Sequence, residues 1–389
     1  MGDIDGIARA SYARLLAILS ARTGDIAAAE DALSDAFAAA LTTWSREGAP
    51  DNPEGWLLTV ARNRWRDRIK SAASRTSTPL DEAQEAALEE VDPEMISDNR
   101  LMMMFVAAHP AINASIRTPL MLQTVLGLEA ERIAAAFLIP GSALAQRLVR
   151  AKRKIKAAAI PFITPDRSDM PVRLEAVLEA IYGAYALDWM AGEDLTREAI
   201  YLADLTVEML PEEPEALGLA ALLTFSHARG AARAGRHFTP LQDQDPAAWD
   251  HRAIARGETL LRRAGGHGRI GRFQIEAAIQ SAHSARKPGE APNWTAIAAL
   301  YEALVTTAPT IGAATGRAAA FGEAFGAEVG LRALDQIAAK DAQGYQPYWA
   351  TRAHLMRAAG QDAGAAFAKA IALCTHPPTR AWLEKRAAD

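Results

Sequence analysis

Apolar residues recur along the whole chain at steps of three and four positions, and no convincing run alternates apolar with polar residues. The first pattern is that of amphipathic helices, whereas alternation is that of half-buried strands. Alanine, the strongest helix former, is abundant throughout. The sequence therefore predicts an all-α protein.

The first 75 residues predict three helices, over residues 7–22, 26–44 and near 54–73. Asp25 is placed to cap the second helix, because its carboxylate can accept hydrogen bonds from free backbone N–H groups. The predicted buried face of that helix holds Ile26, Leu33, Phe37 and Leu41. Asp31 and Asp35 share the opposite face, where an ordinary solvated surface is the commoner explanation for two acids four residues apart.

The third helix turns Leu57, Val60 and Ala61 inward and presents a polar, largely cationic face on its other side. That face consists of Thr59, Arg62, Asn63, Arg66 and Lys70. Cations at helical spacing beside Trp56 and Trp65 suit phosphate contact and base stacking. A basic helix that is merely solvated explains the same pattern equally well.

A helix-turn-helix pattern occupies residues 119–157. Its first helix is predicted over 126–137, a short turn covers 138–141, and Ser142 is placed to cap a second helix that reaches about residue 157. The inward positions are Leu128, Ile133, Ala134 and Phe137 in the first helix, and Leu144, Leu148, Ala151 and Ile155 in the second. Two helices joined by so short a turn are typical of DNA-binding modules.

The second helix of this pair places Gln146, Arg150 and Arg153 opposite its apolar stripe, with Arg147 beside them. From residue 132 to residue 165 the chain contains seven basic residues and no acid. A helix that enters the major groove needs polar side chains near its N-terminal end and cations that grip phosphates. Gln146 suits an adenine edge, and Arg147 or Arg150 suits a guanine edge or a phosphate. A basic helix without a ligand is the alternative.

The net charge of −5 over 389 residues conceals a partition along the chain. Residues 1–158 carry 19 Lys/Arg and 20 Asp/Glu, but eight of these acids lie within residues 80–98. Without that stretch the flanking segments carry +7, whereas residues 159–389 carry −4. Because a net charge averages over domains, mild overall acidity does not exclude a nucleic-acid partner for the N-terminal part.

Charge and helix breakers divide the chain into four predicted parts: a basic helical domain over 1–75, an acidic linker over 76–99, a second basic helical domain over 100–160 and a helical extension over 161–389. Within the extension, helices are predicted near 172–190, 195–209, 214–230, 246–264, 271–286, 294–307, 323–339, 346–359 and 362–373. Pairs such as the last two, separated by Gly360, are typical of helix–turn–helix repeats that stack into an α-solenoid. The loose period makes the extension tetratricopeptide-like rather than a regular array.

Several function classes are disfavoured by what the sequence lacks. No apolar run approaches the roughly 20 residues of a membrane-spanning helix, the first 12 residues show no signal peptide, and the single cysteine, Cys374, cannot form an internal disulfide. We therefore expect a cytoplasmic protein with no membrane partner.

Catalytic motifs are also missing from the sequence. It contains no phosphate-binding loop, dinucleotide fingerprint, nucleophile elbow or cysteine pair, and its histidines show no metal-ligand spacing. Asp243 and Asp245 precede a predicted helix and are placed to cap it. No enzyme activity, metal or cofactor is therefore expected.

Several short segments of the sequence resemble a known family. Residues 29–37 and 53–67 resemble region two of extracytoplasmic-function sigma factors, and residues 133–137, 139–140 and 145–153 resemble their region four. Segments 117–123, 271–280 and 349–355 are similar to the subgroup that has a long tetratricopeptide-like C-terminal extension. The resemblance spans nearly the whole chain and implies the corresponding all-helical architecture.

The resemblance implies a role for each matched segment. Asp31 and Asp35 would dock on the clamp helices of the largest subunit of core RNA polymerase, and region four would meet the flap of the second subunit. The loop at 45–55, including Asn52, would capture a flipped base of the minus-ten promoter element, and residues Thr59, Arg62, Asn63 and Arg66 would contact the same element. The helix at 142–156 would read the minus-thirty-five element, and the extension would modulate or support activity.

The sequence departs from the family pattern at the start of the second helix of the helix-turn-helix. The lysine that commonly follows the turn is absent from residues 141–147, so no promoter sequence is implied. Because no long flexible linker separates the extension from the preceding segments, we expect intramolecular contact between them.

Two other functions remain as alternatives. A helical-repeat scaffold whose basic N-terminus binds nucleic acid would show the same charge partition without serving polymerase. An α-helical enzyme housed in the extension is the third and weakest hypothesis.

Overall fold

The structure is a computed structural model that describes residues 4–76, 99–137, 139–163, 165–166, 169–191, 195–230 and 238–388. Every regular element in these ranges is helical, which confirms the all-α prediction. The acidic stretch at 80–98 and Leu138 of the predicted turn lie outside the described residues. No helix in the described ranges is long and apolar enough to cross a membrane.

The chain divides into two compact units, Met1–Glu198 and Ala199–Asp389. The helices of the first unit are α1 (Ile4–Thr23), α2 (Ile26–Glu47), α3 (Pro53–Thr76), α4 (Arg100–Ala107), α5 (Ala114–Thr124), α6 (Ala130–Ala136), α7 (Gly141–Ala157) and α8 (Met170–Ala191). Helix α9 (Leu195–Met209) crosses the division.

Helices α1, α2 and α3 pack against one another around alanines and a few large apolar side chains. Asp25 caps α2 as predicted, since its Oδ1 accepts hydrogen bonds from the amides of Ala27 and Ala28 at 3.1 and 3.2 Å. Leu33 is fully buried, but Leu41 is 56% exposed. The prediction for Leu41 was wrong, because the helix–helix contact covers a narrower stripe than the sequence pattern suggested.

Helix α8, the first helix of the predicted extension, packs against α4 and α5 inside the first unit. Helix α4 is almost entirely buried, and its neighbours include α1, α5 and α8. Apolar residues of α8 that become buried include Leu174, Val177 and Ile181. The extension therefore begins by completing the core that contains the segment after the linker.

The second unit continues with α10 (Pro214–Ala228), α11 (His251–Gly265), α12 (Arg272–Ser284), α13 (Trp294–Thr307), α14 (Ile311–Phe325), α15 (Ala327–Asp335), α16 (Ala339–Ala342), α17 (Gln346–Ala358), α18 (Gly364–Leu373) and α19 (Pro377–Ala388). Two short 3₁₀ turns, Leu241–Asp243 and Pro246–Ala248, precede α11. Most packing joins helices that are close in the chain, which is the contact pattern of an α-solenoid.

Glycines explain why α14 was missed at the sequence level. Its sequence contains Gly312, Gly316 and Gly322, which weaken a helical pattern. A Cβ on Gly316 would lie 2.3 Å from Tyr301, and one on Gly322 would lie 2.2 Å from Leu355. The glycines thus allow close approach of neighbouring helices, and tertiary packing outweighs their low helix propensity.

Other boundaries differ from the prediction for local reasons. The helix expected from 246 begins at His251, where Asp250 provides the cap, and Asp245 instead caps the short turn before it. The helix expected at 323–339 covers only Ala327–Asp335, and α19 was not predicted. The pair α17 and α18, with Gly360 at a φ of +71° between them, was predicted well.

Candidate nucleic-acid interface

The polar face predicted for α3 is present in the structure. Thr59, Asn63 and Lys70 are exposed, and Arg62 and Arg66 are half-buried. Leu57 and Ala61 are buried on the other side and Val60 is half-buried, which orients the helix. The five polar residues therefore lie on a face that a phosphate backbone can approach.

Asn52 sits at the start of α3 and has a structural role there. Its Oδ1 accepts a hydrogen bond from the amide of Gly55 at 2.9 Å, which caps the helix, and Pro53 follows at the first helical position. The hydroxyl of Thr59 donates to the carbonyl of Gly55 at 2.8 Å. The amide nitrogen of the exposed Asn52 side chain remains the group that can meet a base.

The two tryptophans near this face do not both serve stacking. Trp65 is only 6% exposed, so a base cannot stack on it, and that part of the prediction was wrong. Trp56 is half-buried and makes an edge contact with Trp44 at a centroid distance of 5.3 Å. Both rings contribute mainly to holding α3 against its neighbours.

Asp31 and Asp35 of α2 form a small ion-pair network with Arg68 of α3. The guanidinium lies 3.2 Å from Oδ2 of Asp31 and 2.8 Å from Oδ2 of Asp35. The Asp31 side chain is 69% exposed, and such surface pairs contribute little stability, on the order of 0–1 kcal/mol. Both carboxylates are therefore accessible to cations of a partner, and sequence reasoning missed Arg68 because it lies 33 or more positions away.

The helix-turn-helix is formed by α6 and α7, which pack against each other and against α5. Ile133, Leu144, Leu148 and Ile155 are buried as predicted. The first helix is shorter than predicted, because it begins at Ala130 rather than near residue 126. Phe137, expected inside, is 40% exposed where the chain leaves α6.

Helix α7 begins at Gly141 and not at a serine cap. Pro140 occupies the cap position and offers no side-chain hydrogen bond, so the capping role predicted for Ser142 was wrong. Ser142 lies in the first turn and is exposed. Pro140 and Gly141 still produce the sharp entry into the helix.

The polar groups of α7 fall into two sets. Gln146, Arg150, Arg153 and Lys154 are exposed, and the Arg150 Nε donates to the Gln146 carbonyl at 3.3 Å. Arg147 is half-buried and donates to the Ser115 hydroxyl at 2.5 Å. The first set is presented outward, whereas Arg147 links α7 to α5.

Two lysines of α7 form ion pairs with acids at the start of α2, and of the two only Lys152 is buried. Lys152 is 8% exposed, and its Nζ lies 2.5 Å from Oε1 of Glu30. The Lys156 Nζ lies 2.7 Å from Oδ2 of Asp25. Burial, followed by the charge of Glu30, raises the pKa of the neighbouring Tyr12 to about 12. No local sequence pattern predicts these pairs, since Glu30 and Lys152 are 122 positions apart.

In the part of the chain that the structure describes, no group of three or more His, Cys, Asp or Glu side chains could hold an ion. The arrangement offers instead an exposed cationic and amide surface on two helices, together with an exposed pair of carboxylates.

Known proteins resemble this chain in the same segments. The family described as Sigma-70 region 2 matches residues 7–75, and the family described as Family of unknown function (DUF6596) matches residues 173–265. The chain is 35% identical over 373 residues to "Uncharacterized protein R00370" of Rhizobium meliloti (strain 1021), covering 91% of this chain and 88% of that protein.

A second relative is the "Probable ECF RNA polymerase sigma factor SigI" of Mycobacterium tuberculosis, found in two strains. It is 30% identical over 158 residues, which cover 39% of this chain and 54% of that protein. No solved structure matches the chain.

Proposed function

Because this chain belongs to the extracytoplasmic-function sigma factors, as a member with a helical C-terminal extension, we propose that it docks on core RNA polymerase through α2 and reads and melts promoter DNA through α3 and α7. The observation that carries the proposal is the pair of exposed cationic helix faces, one in the Sigma-70 region 2 match and one in a helix-turn-helix. A polymerase partner places the protein in the cytoplasm, and the role is one of binding rather than catalysis.

Docking would use Asp31 and Asp35 against the clamp helices of the largest subunit. Arg68 holds both exposed carboxylates in place. Because such surface ion pairs are weak, a basic side chain of polymerase can replace Arg68 at little energetic cost. Basic side chains of the clamp would replace or join Arg68. Region four would contact the flap of the second subunit.

The minus-ten element would be held by the start of α3. Asn52 offers its amide nitrogen to a flipped base, and Thr59, Arg62, Asn63, Arg66 and Lys70 contact the strand and its phosphates. Flipping a base out of the duplex costs a few kcal/mol, which is smallest where the strands already separate. Recognition and melting would therefore occur together.

The minus-thirty-five element would be read by the outward set of α7. Gln146 can pair with an adenine edge and Arg150 with a guanine edge, while Ser142 and Arg153 contact phosphates. Arg147 links α7 to α5 through its hydrogen bond to the Ser115 hydroxyl. It can contact DNA only if a phosphate or a base replaces Ser115 as the acceptor.

Simultaneous reading of both elements requires α2 and α7 to separate. Packed helices lie roughly 10 Å apart, whereas the about 25 base pairs between the minus-thirty-five and minus-ten elements, at ~3.4 Å each, extend over roughly 85 Å. The ion pairs of Lys152 with Glu30 and of Lys156 with Asp25 would open when polymerase and promoter are bound.

Transcription in vitro tests the proposal. Core polymerase supplemented with this chain should give run-off products from a subset of genomic promoters, and Asp31→Lys with Asp35→Lys should abolish core binding while leaving DNA affinity intact. Glu328→Lys, an exposed acid of α15, is the matched control and should change neither. If no promoter in the genomic screen depends on the chain, the sigma proposal fails.

In the same experiment the scaffold alternative differs from the sigma proposal in core binding and initiation, because either function retains nucleic-acid binding in the variant. A scaffold would retain nucleic-acid binding in the Asp31 and Asp35 variant and would never support initiation. The same transcription assay with the extension deleted measures what the extension contributes. Because we expect the extension to modulate or support activity, its deletion should change the yield of transcript.

A further inference from the structure

A cleft of about 610 Å³ opens on the second unit, and none of its lining residues belongs to α2, α3 or α7. Residues 242–246 and 286–294 form most of its wall, and Glu323 of α14 and His354 of α17 complete it. Its volume lies within the ~300–1,000 Å³ range of ligand sites.

Arg286 holds the wall of the cleft in place. Its guanidinium donates to the carbonyls of Leu241 at 2.8 Å and Gln242 at 2.6 Å, and also to that of Gln244. It also lies 5.1 Å from the ring centroid of Trp249. Because these bonds already fix the loop, a ligand would meet a site that needs little ordering.

Negative charge dominates the lining. The cleft is lined by four carboxylates, Asp243, Asp245, Glu290 and Glu323, and by the single guanidinium of Arg286. Burial lowers the pKa of Arg286, and the charges of Asp243 and Asp245 oppose that shift. Glu323 lies 3.0 Å from His354. The four carboxylates outnumber the basic side chains of the lining and favour a positively charged ligand.

Two further groups favour an organic cation over a bare ion. Gln244 is 8% exposed, and its buried Oε1 accepts no hydrogen bond in the described part of the chain. A buried acceptor without a donor calls for an explanation. Trp294 contributes a half-buried aromatic ring to the lining, and aromatic faces attract guanidinium and ammonium groups.

We propose that this cleft binds an arginine side chain presented by a polypeptide segment of a partner protein. Guanidinium supplies five N–H donors in a planar fork, which suits a wall lined by carboxylates and by the Trp294 side chain. The volume exceeds that of one side chain and leaves room for neighbouring peptide residues. This binding activity is independent of the proposed promoter function.

Titration of the full-length chain with a blocked Gly-Gly-Arg-Gly-Gly peptide tests the proposal, with Trp fluorescence and calorimetry as readouts. The same peptide with citrulline, which has nearly the same shape but no charge, is the matched ligand control. The arginine peptide should bind at least about tenfold more tightly, because charge-assisted hydrogen bonds are lost with citrulline. Spermidine is a third arm that distinguishes a free polyamine from a peptide.

Variants of the protein locate the binding. Glu290→Gln should weaken the arginine peptide by about three- to tenfold, whereas Glu328→Gln, an acid outside the cleft, should not change it. Equal affinity for the arginine and citrulline peptides, or no saturable binding, would overturn the proposal. So would tight binding of spermidine without binding of the peptide. None of these results bears on transcription, so the two proposals can fail separately.

Discussion

Single residues decide several close contacts, and glycines show this most clearly. A Cβ on Gly218 of α10 would lie 2.7 Å from the backbone nitrogen of Gln274, which cannot move aside as a flexible side chain can. Gly183 of α8 has no atom within 4 Å of the same position.

We expect Gly218→Ala to lower the free energy of unfolding by about 1–3 kcal/mol through overpacking. Gly183→Ala, the control, should raise it by about 0.5–1 kcal/mol because alanine favours the helix. Thermal and urea unfolding followed by circular dichroism measure both changes. A stabilising Gly218→Ala would contradict the packing of α10 against α12.

His283 couples stability to pH at the same scale. Burial, followed by the charges of Arg229 and Arg286, lowers its pKa from 6.5 to about 4. Below pH 6.5 His283 therefore binds a proton in the unfolded chain but not in the folded chain. The free energy of unfolding consequently falls as the pH drops from about 6.5 towards 4.

Between pH 7 and pH 5 the loss from His283 should reach about 2 kcal/mol. His283→Phe keeps an aromatic ring against Trp294, whose centroid lies 5.5 Å away, and should remove this part of the pH dependence. Urea unfolding of both proteins at the two pH values gives the difference. Parallel pH profiles would show that His283 does not titrate in this way.

At the scale of elements, the contact between α2 and α7 depends on a buried ion pair. Lys152 is the inward-facing member, and Glu30 is its partner from the other helix. Removal of one partner leaves an uncompensated buried charge, whereas replacement of both can be neutral.

Glu30→Gln should therefore destabilise the first unit by about 3–5 kcal/mol. The double variant Glu30→Gln with Lys152→Met should recover most of that loss, because no ammonium then remains buried. Chemical unfolding of the single and double variants measures the coupling. If the double variant is as unstable as Glu30→Gln, the pair does not hold the two helices together.

For the whole molecule, the position at which the chain is truncated decides whether the first unit stays stable. Helix α8 belongs by sequence to the extension but lies in the first compact unit against α4 and α5. Four of its large side chains, Leu174, Val177, Leu178 and Ile181, are buried there. Their burial is worth on the order of 1.5–3 kcal/mol each, which is comparable to the ~5–15 kcal/mol stability of a whole domain.

A chain that ends at residue 165 should thus lose cooperative unfolding or melt far below a chain that ends at Glu198. Circular dichroism melting curves of the two truncated proteins compare them directly. Identical melting temperatures would mean that α8 contributes nothing to the first unit. Only the longer truncation gives a fair transcription test of the extension.

Much of this organisation could be predicted from the chain alone. Helical periodicity, the Asp25 cap and the stripe of Leu144, Leu148 and Ile155 follow from local rules, and they were confirmed. The family resemblance also rested on short sequence segments, and the match to Sigma-70 region 2 confirmed it. Local sequence was enough here because helix formation and capping depend on residues within about four positions.

Contacts between distant residues were decided only by the tertiary structure. Sequence reasoning placed Trp65 at a stacking surface and treated Lys152 as one more cation, but packing buries the first and pairs the second with Glu30. The tertiary structure also decided that α14 forms despite its glycines and that α8 belongs to the first unit. The sequence by itself determined the all-helical class, most of the helices and which helix faces carry charge. Only the fold decided which charges remain outside, because burial and pairing depend on neighbours that lie far away in the chain.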